Sequence, residues 1–228
     1  MSFFPIFAVI IMQIDMILLF GMLFRGLIVG LVASAPMGPV GVLCIQRTLN
    51  KGRWYGFVTG AGAALSDLVY ALLTGFCMSF VVDFFEHQMF ILQLVGSALL
   101  FGFGLYTYNS KPPQMHQPSL RKGTLTHNAL TGLLVTLSNP LIIFLFVALF
   151  ARFTFVIPGH PVEQGVGYLA LLVGALLWWF GITYIVNNVR SRFNENGLKV
   201  LNRIIGIIVM VVALCGFCLT LGGGSLRY

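Results

Sequence analysis

The chain has 228 residues, of which 58% are hydrophobic and 8% are charged. Soluble domains carry about 25% charged residues, so this composition excludes a protein with an ordinary water-facing surface. The formal net charge of +7 does not indicate nucleic-acid binding, because the 13 Lys and Arg residues are scattered among short connections and form no basic stripe.

Long apolar stretches predict an all-α integral membrane protein. Only helices and closed barrels satisfy the backbone inside a bilayer, and unbroken apolar runs of about 20 residues fit helices. We predict six core transmembrane helices, over residues 26–48, 54–82, 88–108, 127–151, 165–187 and 199–221.

Residues 1–25 form an apolar extension whose role the sequence leaves open. No Lys or Arg precedes Arg25, so the basic start of a cleaved secretory signal is missing. The extension fits a seventh helix, a lengthened first span, or a start codon placed too early.

The first core span carries Pro36 and Pro39 near its middle, separated by Met37 and Gly38. Two prolines three residues apart make a continuous helix unfavourable. Broken helices build midplane binding sites in many secondary transporters, so we expect this segment, with the preceding Ser34, to contact a transported substrate. A plain proline kink is the alternative.

Asp67 is the one acidic residue well inside a predicted core span. An Asp at the centre of a membrane helix costs about 2.5 to 3.5 kcal/mol, so its presence needs a reason. We interpret it as a carboxylate that couples transport to a proton or another cation, with structural pairing to a polar group as the alternative.

The fourth span repeats the break. Ser138 and Asn139 precede Pro140, which follows Pro36 by 104 positions, and the same offset aligns Ser138 with Ser34. Because each half contains three spans, the second half must be inverted relative to the first, as in transporters with inverted repeats. We therefore predict an extension (1–25), two three-helix repeats (26–108 and 127–222), a cytoplasmic linker (109–126) and a tail (223–228), with the two breaks facing each other.

Basic residues predict the orientation, because they collect on the cytoplasmic side. Ten flank one set of connections and three the other. The first set is Arg47, Lys51, Arg53, Lys111, Arg121, Lys122, Arg190, Arg192, Lys199 and Arg203; the second is Arg25, Arg152 and Arg227. The linker therefore lies in the cytoplasm and the C-terminus outside.

Other polar and small residues suggest no metal or cofactor site. We expect the four cysteines, Cys44, Cys77, Cys215 and Cys218, to be small buried hydrophobes. Glycines such as Gly62, Gly102 and Gly174 predict close contacts between helices.

Taken together, these segments resemble the lysine exporter (LysE) family of membrane translocators and its homoserine and threonine efflux relatives. The resemblance covers about residues 17–221. It rests on the Ala-Pro-x-Gly-Pro element in 26–39, the basic 47–53, 62–70 with Asp67, 96–106, Ser138-Asn139-Pro140 and 198–206.

The resemblance implies an exporter of amino acids or related metabolites in the bacterial cytoplasmic membrane. It further implies proton coupling, no enzymatic activity, no cofactor, and a substrate path beside Asp67 and the two proline elements; a homo-oligomer is left open. Residues 1–16 have no counterpart, and Leu141 stands where a Lys is common in the family, so the solute stays unassigned.

Three other functions compete. A membrane thiol oxidoreductase needs a cysteine beside each break, yet residues 127–151 contain none. A divalent-metal exporter needs several ligands at membrane depth, where Asp67 is the only carboxylate. A scaffold protein leaves the broken helices and the buried Asp without a role.

Overall fold

Eight helices make up the part of the chain that the computed structural model describes, which is residues 16–36, 38–84, 89–110, 123–139, 141–188 and 195–222. They are α1 (Met16–Ser34), α2 (Pro39–Lys51), α3 (Arg53–Phe84), α4 (Met89–Asn109), α5 (Leu125–Leu137), α6 (Leu141–Phe153), α7 (Pro161–Asn188) and α8 (Glu195–Leu221). No strand occurs in these ranges, so the predicted all-α fold is confirmed.

The helices form a multi-pass membrane protein. Five of them, α1, α3, α4, α7 and α8, are long and apolar enough to cross a bilayer, and α5 with α6 provides a sixth crossing if this bent pair is one span. Large apolar side chains cover the outside; Ile17, for example, is 84% exposed and Phe76 67%. Water-soluble proteins rarely expose apolar surface on this scale, so these side chains face lipid.

The first helix differs from its predicted bounds. The proposed division at residues 25/26 falls inside α1, so residues 16–25 lengthen the first span. Arg25 is buried, and its Nη1 donates to the backbone oxygen of Thr154, 3.0 Å away. This contact gives the charged side chain a polar partner that the sequence did not reveal. Residues 1–15 lie outside the described ranges.

The other helices lie close to their predicted positions, and both predicted breaks interrupt the helical structure. The first span is divided between α1 and α2, and the fourth between α5 and α6, which are bent by 76° relative to each other. Pro39 is the first residue of α2 and follows Gly38 in an extended conformation. Proline suits this position because the first turn of a helix has no use for its missing N–H. Most of the predicted linker (111–122) and the tail lie outside the described residues.

Glycines allow three pairs of helices to approach closely, namely α1 with α7, α3 with α5, and α4 with α8. Gly26 of α1 lies against the carbonyl oxygen of Gly167, and Gly62 of α3 against that of Ala129. Gly104 and Gly206 face each other; a Cβ added to Gly206 would lie 2.8 Å from the Gly104 oxygen. Small residues are therefore what lets these helices pack.

Gly62→Ala is expected to destabilise the protein, whereas Gly102→Ala is not. A Cβ at Gly62 would collide with the backbone of α5, but one at Gly102 would meet nothing within 4 Å, contrary to the packing role predicted from the sequence. Overpacking costs about 1–3 kcal/mol. Thermal unfolding in detergent should show a lower midpoint for Gly62→Ala alone, and equal midpoints would contradict this packing.

Candidate functional site

A cavity of about 510 Å³ lies where the two helix breaks meet. Its walls come from α1 to α8, and its polar side chains come from six of these helices, from the residue after α4 and from the second break. They are Ser34, Asp67, Tyr106, Thr107, Ser110, Thr136, Asn139, Trp179 and Asn202. Asp67 is the one charged residue among the described residues that line it.

Asp67 lies in α3 and is hydrogen-bonded to the last residue of α1. Its carboxylate is buried, 4% exposed, and its Oδ2 accepts a hydrogen bond of 2.9 Å from the hydroxyl of Ser34. Ser34 is the last residue of α1, directly before the first break. The hydrogen bond therefore joins the acidic residue of α3 to the point where the first span is interrupted.

The first break lies along the cavity wall. Pro36, Gly38 and Pro39 all line the cavity, and the N–H of Gly38 donates to the oxygen of Pro36 across 2.9 Å. α2 therefore begins at the cavity. Met37, which the sequence also predicts as a site residue, lies outside the described residues.

The second break borders the same cavity through Asn139. Its side-chain Oδ1 accepts from the N–H of Leu141 at 3.2 Å, and its backbone oxygen accepts from Ile142 at 3.3 Å, so Asn139 caps the start of α6. Ser138, although predicted as a site residue, is exposed, does not line the cavity, and donates to the oxygen of Leu134. Pro140 lies outside the described residues.

The structure thus brings two helix N-termini to one cavity, those of α2 and α6. The first N–H groups of a helix lack intrahelical partners and carry the positive end of its dipole. Such an end favours a bound carboxylate or another anion. Asp67 supplies the opposite charge within the same space, so the cavity suits a solute that carries both charges.

Comparison with known proteins identifies the family of this chain. Residues 31–217 match the family described as LysE type translocator. The chain belongs to the LysE type translocator family. The resemblance noted in the sequence is therefore confirmed, and the fold is that of a membrane transporter.

Two curated relatives match most of this translocator. YcgF of Bacillus subtilis (strain 168), named as a candidate amino acid efflux protein, is 27% identical over 81% of this chain and 90% of its own length. The uncharacterised membrane protein YahN of Escherichia coli (strain K12) is 26% identical over 75% of this chain and 77% of its own. No solved structure matches the translocator closely enough to count as similar.

Metal export and thiol exchange, the two competing chemistries, need ligand clusters or paired cysteines. Among the described residues of this translocator, no group of three or more His, Cys, Asp or Glu residues could hold a metal ion. Cys44 is buried and donates to the oxygen of Gly56 at 3.2 Å, but it does not line the cavity. The expectation that all four cysteines are buried is wrong, because Cys77, Cys215 and Cys218 are exposed.

Sequence reasoning missed several cavity residues of the translocator, above all Trp179 of α7 and Asn202 of α8. Tryptophan is common in membrane proteins and gave no signal. Asn202 gave none either, because it stands between Lys199 and Arg203 in the polar first part of α8, where an amide does not stand out. Its partners depend on how α8 packs, which the sequence of α8 alone does not specify.

Ser34→Ala is expected to lower transport about tenfold, the usual cost of losing one hydrogen bond to a charged group. Ser138→Ala is the matched control, since both serines precede a proline by two positions yet only Ser34 contacts Asp67. The measurement is the initial efflux rate of each variant, compared at equal amounts of protein in the membrane. Equal rates for the two variants would count against the role of the Ser34 hydroxyl.

Proposed function

We propose that this translocator exports amino acids or closely related zwitterionic metabolites across the bacterial cytoplasmic membrane. Its family membership and the name of the B. subtilis relative support export of this kind. The observation that carries the proposal is the buried carboxylate of Asp67, held by Ser34 beside the N-termini of α2 and α6.

The cavity offers complementary groups for the head of an amino acid. The carboxylate would bind at the starts of α2 and α6, where the positive ends of the helix dipoles favour negative charge; at α6 the N–H groups of Leu141 and Ile142 already pair with Asn139. The ammonium group would bind Asp67, because no other charged residue among those described lines the cavity. Both ends of a zwitterion then have a partner in the cavity.

Asp67 also supplies a simple means of proton coupling. One carboxylate cannot hold a proton and neutralise an ammonium group at the same time, so the two cargoes compete for it. A proton arriving from outside would displace the solute, and a solute arriving from the cytoplasm would displace the proton. Obligatory exchange of this kind uses the proton gradient to drive export.

The cavity extends toward the cytoplasmic side in the predicted orientation. Its α4 lining, Phe103, Tyr106 and Thr107, belongs to the last two turns of that helix, and Ser110 follows its end. On the other side of the breaks, aromatic rings fill the space: Phe150 and Phe155 stack at 4.3 Å. We infer that the described state receives solute from the cytoplasm and is closed to the outside.

We further propose that α1–α4 and α5–α8 are inverted repeats. Each half consists of a helix, a break, a helix of 13 residues and two long helices. The contacts between halves are reciprocal: α1 packs on α7 as α5 packs on α3, and α4 crosses α8 at Gly104 and Gly206.

Buried polar contacts follow the same relation. Arg25 of α1 donates to the backbone oxygen of Thr154, just after α6. Arg47 of α2 donates from Nη1 to the backbone oxygen of Asn128 in α5, 3.0 Å away. Arg25 and Asn128 are 103 positions apart. In both cases the helix before one break is linked to the 13-residue helix of the other half, or to the residue just beyond it.

The two 13-residue helices are where the halves differ. Among the described residues, α6 packs closely against α4, whereas α2 and α8 do not pack closely. Likewise α2 packs closely against α3, whereas α6 reaches α7 through the rings of Phe150 and Tyr168. These are equivalent pairs in an inverted repeat, so exchanging them would generate the outward-facing state. We propose that α2 and α6 move while the α1–α7, α3–α5 and α4–α8 pairs stay packed.

Export can be tested directly in cells. Intracellular and medium amino acids are measured with and without the protein, under conditions in which the internal pool is high. The proposal expects at least one amino acid to accumulate in the medium only when the protein is present. Identical amino-acid profiles across the whole set would overturn it.

A further inference from the structure

Two buried polar side chains line the cavity without using their hydrogen-bonding capacity. Trp179 is 2% exposed and Asn202 1%. The indole Nε1 of the first and the amide Oδ1 of the second have no hydrogen-bond partner in the described part of the chain. Leaving a buried donor or acceptor unpaired is costly, so in a cavity such an atom is a candidate to pair with a bound solute or with water.

Three neighbouring hydroxyl groups of the cavity already donate their hydrogen bonds, which distinguishes them from the indole of Trp179. Thr107 donates to the oxygen of Phe103, and Ser110 donates to that of Tyr106, both within their own helix end. Thr136 likewise donates to the oxygen of Gly132. Among the described cavity residues, Trp179 and Asn202 are the ones that carry a fully buried polar side-chain atom without a hydrogen-bond partner.

The positions of both residues are fixed by packing. The ring of Trp179 lies against Gly60 of α3, where a side chain on residue 60 would overlap it. Asn202 is the eighth residue of α8, four residues before the crossing with α4 at Gly206. A fixed donor and a fixed amide can select among solutes, because a partner that lacks a matching group leaves them unpaired.

We propose that Trp179 and Asn202 form a subsite for the side chain of the exported amino acid, and that this side chain is uncharged and carries a hydroxyl or amide group. The inference rests on the proposed function. The indole can donate, and the amide can donate and accept. A charged side chain would find no counter-charge here, since Asp67 is occupied by the ammonium group.

Matched pairs of similar size test the subsite: threonine against valine, and asparagine against leucine, each preloaded into proteoliposomes that contain the full-length protein. Wild type should export the polar member of each pair faster. Asn202→Leu should reduce this preference about tenfold, and Trp179→Phe should reduce it less. A preference unchanged in both variants would overturn the inference.

Asn128→Leu is the control, because Asn128 is fully buried with both amide atoms unpaired but does not line the cavity. It should affect both members of a pair equally. Asn202→Asp adds a gain that misfolding cannot mimic: lysine export should rise relative to norleucine. If Asn202→Leu lowers all four rates alike and Asn202→Asp brings no gain, Asn202 is structural and the inference fails. Wild-type export with no polar preference overturns the subsite alone, whereas no amino-acid export at all overturns the proposed function.

Discussion

Replacing Asp67 by asparagine is expected to reduce proton-driven export about a hundredfold, the effect of removing one partner from a buried charge pair. Asparagine has nearly the same shape and can still accept from Ser34, so the fold should persist. It cannot neutralise an ammonium group or carry a proton. The measurement is the initial rate of efflux from preloaded cells, normalised to the amount of protein in the membrane.

Glu163→Gln provides the matched control. Glu163 is also a buried acid, 3% exposed, but it lies near the start of α7 close to His160 and does not line the cavity. Its loss should leave the rate within about twofold of wild type, as for residues outside a binding site. If the Asp67→Asn variant exported at the wild-type rate, Asp67 would have no role in solute binding or in proton coupling.

A cross-link between residues 93 and 154 is expected to stop transport almost completely. Gln93 of α4 donates to the hydroxyl of Thr154, just beyond α6, at 3.1 Å, and the proposed outward-facing state separates α4 from α6. Cysteines at both positions, in a background without the native cysteines, are joined by a short, reducible bifunctional thiol reagent. Efflux should fall to the level of protein-free membranes, because alternating access needs this movement, and it should return on reduction.

The control uses the same α4 residue with a different partner. Thr220 of α8 donates to Oε1 of Gln93 at 3.4 Å, and the α4–α8 pair is proposed to stay packed throughout the cycle. Cross-linking residues 93 and 220 should therefore leave transport largely intact. Equal inhibition by the two cross-links, or none by the first, would contradict the movement of α6 away from α4.

The membrane fold and the two breaks could be predicted because each depends on a strong local effect. Long unbroken apolar runs in lipid fit helices, and a proline inside a predicted helix, such as Pro36 or Pro140, removes a backbone donor and kinks or breaks it. Asp67 stood out for a similar reason, because a carboxylate inside a membrane span is costly, and the structure places it in the cavity. Such residues can be singled out without knowledge of their neighbours.

Other features depend on packing and could not be derived in the same way. Ser34 and Ser138 occupy equivalent places in the sequence, yet Ser34 reaches Asp67 and Ser138 points away from the cavity. Arg25 looked like the end of a span because a charge in lipid is unfavourable, but Thr154 accepts its hydrogen bond inside the protein. Asn202 lines a cavity that the other seven helices complete, and its place there cannot be read from the sequence of α8 alone.

The most direct test of the account is made in proteoliposomes that contain the purified protein, an amino acid it exports, and a pH-sensitive dye in the lumen. With the amino acid inside and no imposed pH difference, its exit should draw protons inward and acidify the lumen. Asp67→Asn should abolish that acidification. Amino-acid exit by the wild type without any proton movement would contradict proton-coupled export through Asp67.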